Sequence, residues 1–131
     1  MTLHVSRFTF HASRYLAMHE MSIAQNIIDI VNETLREYPN SRVEKVVVDV
    51  GVLTAVVPES LEFCYSAITA GTPLENSVLE IHHIPLRIKC NSCQKESSLD
   101  SFIFVCPSCG SSELTELSGR ELNIRHIEVE E

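Results

Sequence analysis

The sequence lacks a long apolar run and an excess of positive charge. No stretch of 18 apolar residues occurs in its 131 residues, so we predict no membrane-spanning helix. Its 18 acidic residues outnumber the 10 Lys and Arg, which leaves a formal net charge of −8. Nucleic acids and anionic membranes are bound through clustered Lys and Arg. The composition therefore argues against both kinds of partner.

The first 17 residues contain no acidic side chain and no continuous apolar block of the kind that forms a secretory signal. We therefore expect a cytoplasmic protein, whose thiols stay reduced. Residues 1–17 are interpreted as a flexible extension or a short organelle-targeting segment. A third interpretation is a stretch upstream of a working start at Met18.

Two segments have the apolar periodicity of amphipathic helices. The first spans residues 22–38, where Ser22 and Gln25 form the S-x-x-Q pattern of a capping box, so we predict that this helix begins near Ser22. The second helix is predicted from Pro58, which suits a first turn, to Gly71, which suits the position after the end. Cys64 lies on its apolar stripe and is predicted to be a small core residue.

Three further segments, at residues 43–53, 78–90 and 121–131, have the composition of strands. Gly51 predicts a bulge or a close approach of another segment, and Pro85 predicts a bend or an edge. The apolar alternation slips phase at Arg125-His126, which predicts a β-bulge. Two helices packed on one face of a three-stranded sheet, an α+β fold, is the simplest arrangement of these elements.

Four cysteines carry the strongest motif. Cys90 and Cys93 form one C-x2-C unit, Cys106 and Cys109 form a second, and twelve residues separate the two units. Each unit turns tightly enough to place two sulfurs on one ion, so together they predict a tetrahedral zinc site. Gly110 after the second pair favours the turn. The segment between the pairs has too few apolar residues for a core, so the metal is expected to stabilise this module.

Other interpretations of the cysteines are four unrelated buried thiols, disulfides, or iron in a rubredoxin-like site. A four-Cys shell leaves no open coordination position, so a zinc ion there is structural rather than catalytic. The predicted domains are residues 18–85 plus 120–131, which form the α/β part, and residues 86–119, which form a zinc ribbon inserted before the last strand. Residues 1–17 are the extension.

Met18, His19 and Glu20 come immediately before the first predicted helix. The plain interpretation is a solvated polar cluster, in which Glu20 favours the positive end of the helix and the same dipole disfavours a bound cation. The adjacent His82 and His83 are interpreted as ordinary strand residues on opposite faces.

The segment "MHEMSIAQNIIDIV" at residues 18–31 resembles the amino terminus of the HypA family, nickel metallochaperones that help to mature nickel–iron hydrogenase and, in some organisms, urease. "VVVDVGVLTAVVPESLEFCYSAITAGTPLENSVLEIHHIP", the two C-x2-C units and the closing "ELNIRHIEVE" are similar to that family in order and spacing. The resemblance covers residues 18–131.

The resemblance implies a non-enzymatic protein that binds nickel transiently, chiefly through His19, with Glu20 and the amine and backbone nitrogens near Met18 contributing. It also implies structural zinc on the four cysteines, a HypB-type GTPase partner and a hydrogenase large-subunit precursor as recipient, with urease as the recipient in some organisms. In this sequence the MHE motif is internal. A chain that keeps residues 1–17 has no free amine at Met18, so its nickel ligand set would differ.

A zinc-ribbon interaction or scaffold protein without nickel transport is the alternative function. A nucleic-acid-binding ribbon is disfavoured by the acidic balance, and a metal hydrolase by the closed four-Cys shell. The insert joins the α/β domain through two short links. These links are compatible with a monomer or with a dimer that exchanges its last strand or a domain.

Overall fold

The computed structural model of the chain describes residues 1–3, 20–99 and 103–131. The α-helices within these ranges are α1 (Glu20–Leu35) and α2 (Pro58–Thr69). Within the described residues no helix is long and apolar enough to cross a membrane. Pro58 occupies the first turn of α2, and Gly71 follows the helix end with φ 77°, as predicted.

The capping box predicted at Ser22 and Gln25 is wrong, although α1 begins near the predicted position. The helix already includes Glu20, so Ser22 lies inside it rather than at its cap. Gln25 donates a hydrogen bond from Nε2 to Oδ1 of Asp29 at 2.8 Å, one turn further on, instead of reaching back to the helix start. An i,i+4 partner on the helix surface has replaced the predicted capping box. α1 also ends three residues before the predicted position, at Leu35.

In the described part of the chain, the main sheet is formed by β1 (Thr2–Leu3), β2 (Arg42–Gly51), β3 (Val78–Ile84) and β7 (Leu122–Glu130), in the order β1-β7-β2-β3. Strands β2 and β3 are parallel and are joined through α2, whereas β7 is antiparallel to both β1 and β2. Three of these four strands were predicted. The fourth, β1, is too short to produce a periodic pattern, and only its contact with β7 defines it.

The predicted bulge in the last strand is confirmed. His126 pairs with Val47 and Ile124 pairs with Val48, so Arg125 is the extra residue on β7. The predicted strand at 78–90 is instead two strands separated at Pro85, which lacks the N–H that a continuous ladder needs. The second half belongs to another sheet, of order β5-β4-β6, formed by β4 (Leu86–Cys90), β5 (Glu96–Leu99) and β6 (Leu114–Ser118).

The hydrophobic core lies between the helices and one face of the main sheet. Alternate residues of β2 supply Val46, Val48 and Val50, all fully buried, because side chains on a strand alternate between faces. Cys64 lies in this core at 8% exposure, as predicted. The helices contribute Ile23, Ala24, Ile27, Ile28, Val31, Leu61 and Tyr65. Burying each large aliphatic side chain stabilises the fold by about 1.5–3 kcal/mol.

The two sheets meet where β2 ends and β7 begins. The N–H of Gly51 donates to the carbonyl of Glu121 at 2.7 Å, and the N–H of Leu53 donates to the carbonyl of Gly119 at 2.8 Å. A Cβ atom on Gly51 would lie 2.1 Å from the Gly119 oxygen. The close approach predicted at Gly51 is confirmed, and the approaching segment is the connection from β6 to β7.

Candidate metal centres

The four cysteines converge on one point at the tip of the β5-β4-β6 sheet. Their sulfur atoms all lie within 4.8 Å of one another. Sγ of Cys90 is 3.5 Å from Sγ of Cys109, and Sγ of Cys93 is 3.6 Å from Sγ of Cys106. A tetrahedral ion with bonds of about 2.3 Å needs sulfurs roughly 3.8 Å apart. The sulfur positions therefore fit a four-coordinate zinc ion.

The two C-x2-C units adopt the same turn. Gln94 N–H donates to the carbonyl of Cys90 at 2.9 Å, and Gly110 N–H donates to the carbonyl of Cys106 at 2.8 Å. Both donor residues have positive φ, 66° for Gln94 and 78° for Gly110. The sequence predicts this conformation only at Gly110, because glycine adopts it freely. At Gln94 a residue with a side chain adopts the same left-handed conformation, and its backbone N–H closes the turn around the first sulfur pair.

Backbone amides favour the thiolate form in each unit. The N–H of Cys93 lies 3.4 Å from Sγ of Cys90 and, with the Ser92 amide, lowers the pKa of Cys90 to about 6. The Cys109 amide, followed by that of Ser108, lowers the pKa of Cys106. These amides stabilise negative sulfur.

The sulfurs also compete with one another for protons. The Ser111 amide lowers the pKa of Cys109, but the neighbouring sulfurs and the partial desolvation of its Sγ atom outweigh it and raise that pKa to about 12. Four crowded thiols cannot all ionise together without a cation. A divalent cation removes this conflict, because coordination stabilises every thiolate at once. Cys90 and Cys106 are also buried, whereas Cys109 is exposed.

The second candidate site is the start of α1. Met18 and His19 lie outside the described residues, whereas Glu20 lies within them. Oε2 of Glu20 accepts a 3.4 Å hydrogen bond from the Val57 N–H, and its Oε1 accepts one from Ser60 Oγ at 3.5 Å. These bonds are long and therefore weak. They still place the carboxylate at the N-terminus of α2, where the helix dipole favours an anion.

Glu20 thus joins the starts of the two helices, which are distant in sequence. Val57 and Ser60 follow Glu20 by 37 and 40 positions in the sequence. No local sequence pattern links residues so far apart, so these partners were not predicted. Val57 is half exposed, at 50%. Among the described residues, the four cysteines form the one group of three or more close metal-ligating side chains, so Glu20 belongs to no such described group.

The histidines of β3 behave as predicted. His82 is half-buried and its Nε2 lies 2.7 Å from Oε2 of Glu80, while His83 on the opposite face is exposed. On β7, Nε2 of His126 lies 3.0 Å from Oε2 of Glu128. Each of these two rings already has a carboxylate partner on its own strand.

Residues 18–129 match the model of a family described as HypA: hydrogenase/urease nickel incorporation, metallochaperone. The chain belongs to the HypA family. This is a family of hydrogenase maturation factors and nickel metallochaperones rather than of catalytic enzymes. Because the family acts in hydrogenase maturation, its partners are hydrogenase-related.

Relatives with high identity carry the same description. The chain is 41% identical over 114 residues to the hydrogenase maturation factor HypA of Nostoc sp.. The alignment covers 87% of this chain and 97% of that protein. It is 38% identical over 113 residues to HypA of Geobacter sulfurreducens, covering 86% of this chain and 100% of that protein.

Solved HypA structures share the fold. The chain superposes on the solution structure of the Ni metallochaperone HypA from Helicobacter pylori with 20% identity and a TM-score of 0.58. The superposition covers 85% of this chain and 97% of that chain. The superposition on a second HypA solution structure covers 86% of this chain and 96% of that chain, with 19% identity and a TM-score of 0.63. The predicted α+β fold with its four-Cys module is therefore the HypA fold.

Proposed function

We propose that the chain is a cytoplasmic nickel metallochaperone that binds Ni(II) at the start of α1 through His19. It delivers the ion to a hydrogenase large-subunit precursor, or to urease, together with a HypB-type GTPase. The observation that carries the proposal is the MHE motif at residues 18–20, immediately before and at the start of a helix in a HypA chain.

The chemistry of these residues suits nickel. Ni(II) favours nitrogen donors in a square-planar arrangement, and an imidazole with neighbouring backbone nitrogens supplies them. In a chain that begins at Met18, the terminal amine adds another donor. Glu20, whose carboxylate is directed to the start of α2, supports the site or contributes an oxygen ligand. The four cysteines hold a structural zinc ion in the same proposal.

Nickel titration of the full chain tests the role of His19. His19→Ala should weaken nickel binding by at least about tenfold, because one strong donor is lost. His83→Ala is the matched control, since it removes an exposed imidazole from β3 far from the motif in sequence. Equal nickel affinity in the His19→Ala variant and the unmodified chain would contradict the proposal.

The alternative function is a zinc-ribbon scaffold without nickel transport. Its specific support is the four-Cys cluster, which needs no residue of α1. Hydrogenase maturation in cells that carry only the His19→Ala variant separates the two functions. A scaffold would keep full activity, whereas a nickel chaperone would lose most of it and would recover when excess nickel is supplied.

A further inference from the structure

Strand β1 occupies the outer edge of β7. Thr2 pairs with Glu128 and Leu3 pairs with Ile127 in antiparallel register. Next to them, the Met1 nitrogen donates to the carbonyl of Val129 at 2.7 Å, and the Val129 N–H donates back to the Met1 carbonyl at 2.7 Å. Residues 1–3 therefore satisfy backbone groups that would otherwise form a free sheet edge.

The side chains of β1 alternate as in a regular strand. Leu3 is only 6% exposed and belongs to the hydrophobic core with Ile127 and Val129. Thr2 faces the other way and is exposed. The segment is thus held by a buried anchor as well as by its backbone, which a two-residue strand needs because it buries little else.

This strand is an addition to the family's domain. The family model matches from residue 18 onward, and 113 residues of this chain cover the whole Geobacter sulfurreducens relative. β7 is the last strand on its side of the sheet once β1 is removed, since the order is β1-β7-β2-β3. A chain without residues 1–17 would present both the edge of β7 and the cavity left by Leu3.

Charge identifies the occupant that this edge favours. The first 17 residues contain two Arg and no acidic residue, whereas β7 carries Glu128 and Glu130 beside the edge. A second copy that pairs β7 against β7 in the register centred on Glu128 would bring the two Glu128 side chains opposite each other, which is unfavourable. An extended segment without acidic residues meets no such repulsion.

We propose that the outer edge of β7, from Ile127 to Val129, is an acceptor site for an extended peptide with an apolar anchor at the position of Leu3. The chain's own residues 1–3 are its resident occupant. Binding follows β-strand addition: backbone hydrogen bonds supply affinity, and the pocket for the anchor supplies selectivity. Residues 1–3 are then a docked strand rather than part of a passive extension.

The test compares Leu3→Asp with Thr2→Asp in the full chain. The two variants add the same charge to the same strand, but only the first places it in the core. Hydrogen exchange at the Val129 amide, which donates to Met1, is the readout. Leu3→Asp should accelerate it at least roughly tenfold, since burial of one Leu side chain shifts an equilibrium by about that factor or more. Thr2→Asp should accelerate it by no more than about fivefold, because a like charge opposite Glu128 costs at most about 1 kcal/mol.

Exchange at Val46, in the middle of β2, reports whether the domain stays folded. If Leu3→Asp also accelerates Val46, then Leu3→Ala, which only empties the pocket, makes the same comparison with less perturbation. Unchanged Val129 exchange in the variant that keeps Val46 protected would overturn the proposal, as would equal acceleration by Thr2→Asp.

Rescue in trans tests the acceptor site itself. A synthetic peptide of residues 1–17 added to the Leu3→Asp chain should restore slow exchange at Val129, and the same peptide carrying Leu3→Asp should not. Equal rescue by the two peptides, or no rescue by either, would contradict the selectivity for an apolar anchor. Concentration-dependent dimers of the Leu3→Asp chain in place of peptide binding would assign the edge to a second copy and overturn the proposed occupant.

Discussion

Gly51→Ala should be among the most damaging small substitutions in the chain. The added Cβ would lie 2.1 Å from the oxygen and 2.2 Å from the carbonyl carbon of Gly119, and 2.6 Å from the nitrogen of Arg120. All three atoms are backbone, so no side chain can rotate away. The two segments would have to separate by roughly 1 Å or more to reach ordinary contact.

That separation would also strain the hydrogen bonds that join the two sheets, from Gly51 to Glu121 and from Leu53 to Gly119. An overpacked contact costs about 1–3 kcal/mol, and each weakened hydrogen bond costs about 1 kcal/mol. We therefore expect Gly51→Ala to lower the free energy of unfolding by roughly 3 kcal/mol. Urea denaturation of the zinc-loaded chain, followed by circular dichroism, measures it.

Gly71→Ala is the matched control. A Cβ on Gly71 would meet no heavy atom within 4 Å, but its φ of 77° lies in the left-handed region, which costs an alanine about 1 kcal/mol. Gly51 has an ordinary φ of −76°, so its substitution reports the contact alone. If Gly51→Ala lowers the free energy of unfolding by no more than Gly71→Ala does, the close contact between Gly51 and the Gly119 backbone would be refuted.

Two further predictions concern the cysteines and the polar face of the sheet. Cys93→Ser should abolish stoichiometric zinc binding, measured by metal analysis. The control Cys64→Ser should keep the zinc and lower the free energy of unfolding by about 1–3 kcal/mol, because it buries a hydroxyl. Zinc retained by Cys93→Ser would contradict the four-sulfur site. Hydrogen bonds from His82, and then from Lys45, lower the pKa of Glu80, so its contribution to stability is present above its unfolded pKa and is lost as pH falls through the lowered folded value. Urea midpoints of Glu80→Gln measured from pH 6 down to pH 3 should fall less steeply than those of the unmodified chain, and parallel profiles would contradict this.

Features set by local chemistry were predictable from the sequence. The two helices and the bulge at Arg125 follow from apolar periodicity, and the close approach at Gly51 follows from the missing side chain of glycine. The four-Cys site was predictable because C-x2-C spacing by itself brings two sulfurs together. The roles of Met18 and His19 in nickel binding remain predictions.

Long-range contacts decided the rest. Pairing with β7 makes Thr2–Leu3 a strand, and no pattern of two residues could indicate it. Glu20 is a helical residue whose carboxylate reaches Val57, just before α2, and Ser60 in its first turn, a relation that depends on how the helices pack. Spacing along the chain specifies turns and metal knuckles, because their atoms are close in sequence. Sheet edges and helix junctions join distant segments, so only the folded chain defines them.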